Sequence, residues 1–176
     1  VVITTKKGSS GKGLITYGTT FSIDNVNKLP KLQSIYKQGL QGKYDPQSYL
    51  SWGPQFDQSD KIYDNLGEFF QTSVSQVHDL TAGGSTERSS FYASASLLDQ
   101  NGIVKNMDFD RKSFRLNADH KIFDNLKIGA NMNYINSGRT YFSQGSANGV
   151  MGAIYWPLNV DMKDYVNVDG TQKLLS

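Results

Sequence analysis

The sequence predicts an all-β fold, and more narrowly a part of the wall of a large antiparallel transmembrane β-barrel. Aromatic residues make up 12% of the chain and glycine occurs 17 times, whereas proline occurs only 4 times, a composition that favours strands and turns over long helices. Five segments alternate apolar and polar side chains with a period of two residues. The connections between these segments are long and short in turn, which is typical of barrels that cross the bacterial outer membrane.

Composition argues against several classes of function. The 18 basic and 16 acidic residues are spread along the chain, so no basic patch would attract nucleic acid, and we expect no nucleic-acid partner. Cysteine is absent, which removes disulfides and thiolate nucleophiles. No apolar run approaches the ~18 residues that a membrane-spanning helix needs. The mean hydropathy of −0.48 still permits a membrane barrel, because only every second side chain of a barrel strand faces lipid.

The first two predicted strands cover residues 13–23 and 76–84. In the first strand Ile15, Tyr17 and Phe21 lie on one face, and mostly small or polar residues lie on the other. The second strand has the weakest alternation of the five. Each segment has close to the ~10 residues of a tilted barrel strand.

The other predicted strands cover residues 89–98, 111–122 and 126–136, and the fourth of the five has the clearest alternation. The residues predicted to face lipid across the strands are Ile15, Tyr17, Phe21, Phe91, Phe114, Leu116, Ile128, Met132 and Tyr134. The polar residues predicted to face the barrel lumen or a plug are Arg115, Asn117, Asp119, Lys121, Asn131 and Asn133.

The lengths of the connections indicate an orientation. Residues 85–88 and 123–125 form short turns, whereas residues 24–75 and 99–110 form longer loops and residues 137–176 form a long tail. Outer-membrane barrels have short periplasmic turns and long extracellular loops, so the first, third and fifth strands are predicted to run outward. Because five strands cannot close such a barrel and open edges in lipid are prohibitively costly, we expect further strands to complete it.

Motifs of catalysis and metal binding are incomplete. Residues 8–13 (GSSGKG) lack the P-loop spacing, and Lys12 is not followed by serine or threonine. The turn at 167–170 (NVDG) lacks the first and last ligands of a calcium loop. His78 and His120 have no neighbours at metal-ligand or catalytic spacing. We therefore predict no enzyme, no metal site and no cofactor.

Several short motifs follow one another in a specific order. They are VVITTKKG at 1–8, SWGP at 51–54, FFQT at 69–72, GGSTE at 83–87, YAS at 92–94, LDQNGIVKN at 98–106 and RLN at 115–117. In this order, and over nearly the whole chain, they resemble the SusC-type (SusC/RagA-like) TonB-dependent outer-membrane transporters of Bacteroidetes.

The resemblance implies that residues 1–8 are the last strand of a plug domain, 9–12 a linker, and 13–176 the start of a barrel of about 22 strands. It implies a SusD-like surface lipoprotein as a hinged lid and the TonB complex as the energy source, the latter acting through a region outside these residues. The cargo of such importers is an oligosaccharide or an oligopeptide. The other expected neighbours are the lipids of the outer membrane.

Aromatic residues in the predicted loops are the candidates for contact with cargo or lid. They are Tyr44, Tyr49, Trp52, Phe56, Tyr155 and Trp156. Aromatic faces stack on sugar rings and on peptide side chains. The alternative is that a loop as long as 24–75 requires a small core of its own, which these side chains would provide.

Two other functions compete with an active importer. The first is a passive porin or adhesin barrel, against which the plug-like start argues. The second is a soluble β-sandwich that binds carbohydrate, which predicts charged outer faces instead of the apolar ones of the fourth and fifth strands.

Overall fold

A computed structural model of the chain describes residues 11–141 and 149–171. The chain divides into two units. We call residues 11–24, 72–102 and 106–141 the sheet unit, and residues 25–71, 103–105 and 149–171 the loop unit. The predicted plug strand at 1–8 lies outside the described residues.

The described residues form seven strands and two short helices. In order they are β1 (Gly11–Asp24), β2 (Gly39–Leu40), β3 (Lys43–Tyr44), α1 (Asn65–Phe69), β4 (Ser73–Ser85), β5 (Ser89–Asn101), β6 (Asp108–Phe123), β7 (Leu126–Arg139) and α2 (Gly149–Tyr155). Within the described ranges, no helix has the length and apolar character to cross a membrane.

The sheet unit is one antiparallel sheet in the order β1-β4-β5-β6-β7. The five strands predicted from the alternation are all present. They lie in the sheet in the same order in which they follow one another along the chain. Residues 86–88 and 124–125 are the short turns at one end of the sheet, whereas residues 25–72 and 102–107 are the connections at the other end.

The strands extend beyond the predicted bounds. β1 includes Gly11 and Lys12, which were assigned to a linker at 9–12, and β4 starts at Ser73, inside the predicted loop 24–75. The connection between β5 and β6 is 102–107 and not 99–110, and β7 continues to Arg139, inside the predicted tail. Backbone pairing continues where both faces of a strand are polar, and there the alternation of side chains gives no signal.

The sheet has an apolar face and a polar face, because residues that pair across strands lie on the same face. Tyr134 pairs with Phe114, which pairs with Ala95, then Leu80 and then Tyr17. The described side chains of β1 are all exposed. Among the described residues the buried apolar side chains are Leu66, Ala153 and Pro157, all in the loop unit. The sheet is therefore a single layer with no core on either side.

The apolar face forms a band that runs obliquely across the strands. Tyr17 and Tyr134 belong to the same row of paired residues across the five strands. Beyond this row, the apolar residues of β1 continue for six more residues, to Ile23. In β7 the next residue on the same face is the polar Asn136. At the other edge, β7 continues to Ile128, four residues below the row of Ile15. A residue advances ~3.3 Å along a strand, and neighbouring strands lie ~4.8 Å apart. The shift of four to six residues over four strand spacings therefore inclines the band by about 35–45° from the perpendicular to the strands.

The loop unit contains an irregular ladder between residues 35–39 and 50–56. The backbone nitrogen of Lys37 donates to Pro54 O at 2.9 Å, and that of Gly53 donates to Lys37 O at 3.0 Å. A Cβ at Gly53 would lie 2.4 Å from Gln38 O. The two backbone segments therefore approach each other more closely than a side chain at residue 53 would allow. Gly39 has φ +138°, a conformation that glycine adopts readily and other residues do not.

Candidate functional site

Asn65 joins separate segments of the loop unit. This residue begins α1 and is 1% exposed. Its Nδ2 donates to Pro157 O at 3.0 Å and to Val160 O at 2.8 Å, and its Oδ1 accepts from the backbone nitrogen of Met162 at 2.9 Å. One buried amide thus uses both its donors and its acceptor to hold residues 157–162 against α1.

Gln38 makes a second junction between the same two segments. Its backbone nitrogen donates to Asn159 Oδ1 at 3.0 Å, and its Nε2 donates to Pro46 O at 2.9 Å and Ser48 O at 2.7 Å. Its Oε1 is buried and has no hydrogen-bond partner within the described structure. Nearby, Tyr63 N donates to Leu158 O at 2.9 Å. Residues 25–71 and 149–171 therefore form one folded unit.

Ion pairs at the surface of the loop unit fix its turns. Lys37 pairs with Asp60 and lies 3.8 Å from Asp57, and the hydrogen bond to Asp60 raises the pKa of Lys37. The hydroxyl and backbone N–H of Ser59 donate to Asp57 and lower the pKa of that carboxyl. The Asp57 side chain is 65% exposed, whereas those of Lys37 and Asp60 are 18% and 23% exposed. The ion pairs therefore set the local geometry of the turn at the edge of the loop unit.

The candidate aromatics of the loop unit separate into two groups. Trp156 and Phe56 are half-buried, and the indole nitrogen of Trp156 donates to Val160 O at 3.2 Å, as expected of side chains that support the fold. The other four side chains are 53–63% exposed: Tyr44, Tyr49, Trp52 and Tyr155. Of the six candidates, these four present the larger part of their surface to solvent.

An exposed apolar surface surrounds Trp52. Gly39 pairs with Tyr44 in the β2–β3 hairpin and with Ser51 in a parallel bridge, so these three residues share a face. On the opposite face lie Leu40, Leu50 and Trp52, which are all more than one-third exposed. An exposed indole offers a flat apolar surface of the kind that sugar rings and peptide side chains contact.

The six residues predicted to face a lumen share the polar face of the sheet. Arg115 pairs with Asn133 and Asn117 with Asn131 across β6 and β7, and Asp119 and Lys121 follow at alternate positions of β6. The Asp119 carboxylate lies 3.7 Å from the Lys127 ammonium. The nine residues predicted to face lipid share the opposite, apolar face.

Both histidines lie on the apolar face and each has a hydrogen-bond partner. His78 Nδ1 is 2.7 Å from the Tyr17 hydroxyl and the two rings stack, while His120 Nδ1 is 2.7 Å from the Ser89 hydroxyl. Within residues 11–141 and 149–171, no carboxylate is hydrogen-bonded to either pair as a catalytic relay would require. In the part of the chain that the structure describes, no three His, Cys, Asp or Glu residues cluster as a metal site would require.

Sequence reasoning missed the residues that organise the loop unit. Gln38, Asn65 and Asn159 are polar residues in segments without periodicity, where a buried amide looks the same as an exposed one. Arg111 and Arg139 were also missed, because they lie near strand ends where alternation weakens. The only available signal for Asn65 was its place after Asp64, a residue type that commonly caps helices.

Curated proteins similar to this chain are TonB-dependent receptors. TonB-dependent receptor SusC of Bacteroides thetaiotaomicron is 28% identical over 159 residues, which is 85% of this chain and 15% of that protein. TonB-dependent receptor P26 of Formosa agariphila is 30% identical over 161 residues, with 86% and 15% covered. Receptor P3 of Formosa agariphila is 27% identical over 132 residues, with 75% and 12% covered. No protein-family model matches the chain.

Solved structures with the same fold come from the RagAB peptide importer. In its closed-closed state the TM-score is 0.67 at 20% identity, with 96% of this chain and 23% of that chain covered. The RagAB peptide transporter gives a TM-score of 0.62 at the same identity. The sheet is thus part of a β-barrel wall, as predicted. By sequence and fold, this chain belongs to the SusC-type TonB-dependent receptors, and it spans 12–15% of the length of the curated relatives it matches.

Proposed function

We propose that this chain supplies part of the wall and outer loops of an active importer in the bacterial outer membrane, which takes up oligosaccharides or oligopeptides with a SusD-like lipoprotein. The observation that carries the proposal is the oblique apolar band on a sheet without a core. A single-layer sheet of this kind is not stable in water, because its apolar side chains would remain exposed to solvent and no second layer would bury them. Lipid on one face and protein on the other remove that difficulty.

The orientation of the band supports a membrane location. The band is inclined by about 35–45° from the perpendicular to the strands. Strands of outer-membrane barrels are tilted by the same angle from the barrel axis, so the band would lie parallel to the membrane plane. A horizontal membrane then covers the apolar residues of all five strands, including Ile23 in β1 and Ile128 in β7, which lie in different rows. The nine apolar residues named from the sequence are accordingly assigned to lipid.

The polar face is assigned to the interior of the barrel. Its side chains are mainly hydroxyls and amides, with Arg115, Asn131 and Asn133 near the middle of β6 and β7. Such groups satisfy their hydrogen bonds against a plug or against water in the lumen. The long connections are assigned to the cell exterior, where the four exposed aromatics of the loop unit would contact cargo or lid.

The names of the relatives support the proposed energy source and an oligopeptide cargo. The curated ones are named TonB-dependent receptors, and the solved ones are named a peptide importer. We assign TonB coupling to parts of the receptor outside these residues. The importer as proposed needs no cofactor and carries out no covalent step.

The test is uptake by the full-length receptor in its source bacterium. Deletion of the receptor gene, or loss of TonB function, should abolish growth on the cargo while growth on a freely diffusing monosaccharide continues. Uptake that survives loss of TonB but not loss of the receptor would contradict active import and favour a passive porin.

A further inference from the structure

Two arginines lie together at the loop end of the polar face. Arg111 of β6 pairs with Ser137 of β7, and Arg139 lies two residues beyond Ser137 on the same face. Diagonal neighbours in an antiparallel pair have Cα atoms about 7–8 Å apart, within reach of long side chains. Both arginine side chains are exposed.

Within the described ranges, neither guanidinium has a carboxylate partner. The two residues paired directly with Arg111 are uncharged, namely Leu98 on β5 and Ser137 on β7. Asp108 and Asp110 belong to the same strand but alternate onto the opposite face. Two like charges at neighbouring cross-strand positions repel each other, a cost that a bound anion would remove.

Tyr141 holds one of the two guanidinium groups in place. The Arg139 guanidinium carbon lies 4.9 Å from the centre of the Tyr141 ring, which is a cation–π contact. A guanidinium stacked on a ring keeps its N–H edge free and loses less freedom when it binds a carboxylate with two hydrogen bonds. The pair is therefore partly organised before any ligand arrives.

We propose that Arg111, Arg139 and Tyr141 form a binding site for an oxyanion of the cargo, either a carboxylate or a sulfate ester, so that the importer prefers anionic oligomers. This site rests on the proposed function for its link to uptake, but its ability to bind an anion can be measured without transport. Arg111 and Arg139 donate the hydrogen bonds, and Tyr141 positions Arg139. Loss of both guanidinium groups should weaken anion binding at least about tenfold, since a hydrogen bond to a charged group contributes enough for that factor.

The first experiment detects the site with sodium selenate as the probe. Crystals of the full-length receptor soaked in selenate should show an anomalous selenium peak within hydrogen-bond distance of both guanidinium groups. The Arg111→Gln/Arg139→Gln double variant should lose the peak. Arg88→Gln, which removes one charge from a short turn, should keep it. Tyr141→Phe should keep the peak, and Tyr141→Leu should weaken it.

Three results would overturn the site. One is the absence of a peak in the unmodified receptor. Another is a plug carboxylate already bound to both arginines, which would make the pair a structural contact. The third is a peak that persists in the double variant, which would mark an adventitious ion only.

The second experiment links the site to cargo. Nutrient oligomers that support growth are separated by anion exchange into an anionic and a neutral fraction, and uptake of each is measured. The double variant should take up the anionic fraction at least about tenfold more slowly and the neutral fraction at the normal rate. Equal losses for both fractions, or no loss, would refute the preference. A receptor that binds selenate but shows no TonB-dependent uptake would instead contradict the proposed function.

Discussion

The side-chain oxygen of Asn65 accepts a hydrogen bond from the backbone nitrogen of Met162, 2.9 Å away. Through this bond and two others, a residue in one loop fixes the path of a segment about a hundred residues further along the chain. These three hydrogen bonds imply that the two main segments of the loop unit, residues 25–71 and 149–171, fold together.

Asn65→Ala should release residues 157–162 from α1. The change leaves Pro157 O, Val160 O and Met162 N without their partner, and each buried polar group left unpaired costs about 1–3 kcal/mol. Hydrogen exchange of the full-length receptor should speed up in this segment. Asn27→Ala, an exposed asparagine of the same loop, is the control and should leave exchange unchanged. Unchanged protection in the Asn65 variant would show that other contacts hold the segment.

Gly53→Ala should disrupt the ladder between residues 35–39 and 50–56. The added methyl would lie 2.4 Å from Gln38 O and 2.8 Å from Lys37 O, so the backbones must separate at a cost of about 1–3 kcal/mol. Proteolysis within residues 35–56 should become faster. Gly18→Ala adds a methyl where nothing lies within 4 Å and serves as the comparison. Equal protease resistance of the two variants would argue against this close approach.

Met132→Arg should impair folding of the receptor in membranes. An arginine on the lipid face near the middle of a barrel strand costs about 2–4 kcal/mol. Asn133→Arg places the same side chain on the opposite face of β7 and should be tolerated. The folded fraction is measured by the heat-dependent mobility of the barrel on gels. A larger loss for Asn133→Arg than for Met132→Arg would reverse the assignment of the faces.

Trp52→Ala and Phe56→Ala should separate binding from stability. Trp52 is 63% exposed, so its loss should weaken cargo or lid binding and leave the loop unit folded. Phe56 is half-buried, so its loss should loosen the loop unit first. Affinity for the purified lipoprotein and for cargo is measured beside hydrogen exchange. If Trp52→Ala changes exchange but not affinity, the residue serves the fold alone.

The turn at residues 57–60 should loosen in acid. The pKa of Asp57 lies below its usual value of 3.8 because Ser59 donates two hydrogen bonds to the carboxylate. A lowered pKa in the folded state means that the stabilisation is present above the usual value and is lost as the pH falls through the lowered one. Hydrogen exchange of this turn, corrected for intrinsic rates, should therefore increase below about pH 4. In Asp57→Asn this pH dependence should disappear.

The strands could be predicted from sequence because one physical constraint acts on each of them. In the proposed barrel, lipid on one side would select Ile, Phe and Met at alternate positions, and this period is visible without any contact being known. The loop unit follows no such rule. Asn65 and Gln38 are buried because distant backbone groups meet them there, and Trp52 and Phe56 differ in exposure only through tertiary packing. The predicted strands were too short because β6 begins at Asp108 and β7 ends at Arg139, both beyond the apolar band. Polar side chains there give no alternation that would indicate a strand.

The shared folding of residues 25–71 and 149–171 also limits how such receptors can diversify. A graft that transplants the first segment from a relative, without the second, would bring a new partner to Asn159 and an unmatched surface to Pro157. Chimaeric receptors should therefore succeed when both segments are exchanged as a pair, and inherited changes in one should be accompanied by changes in the other.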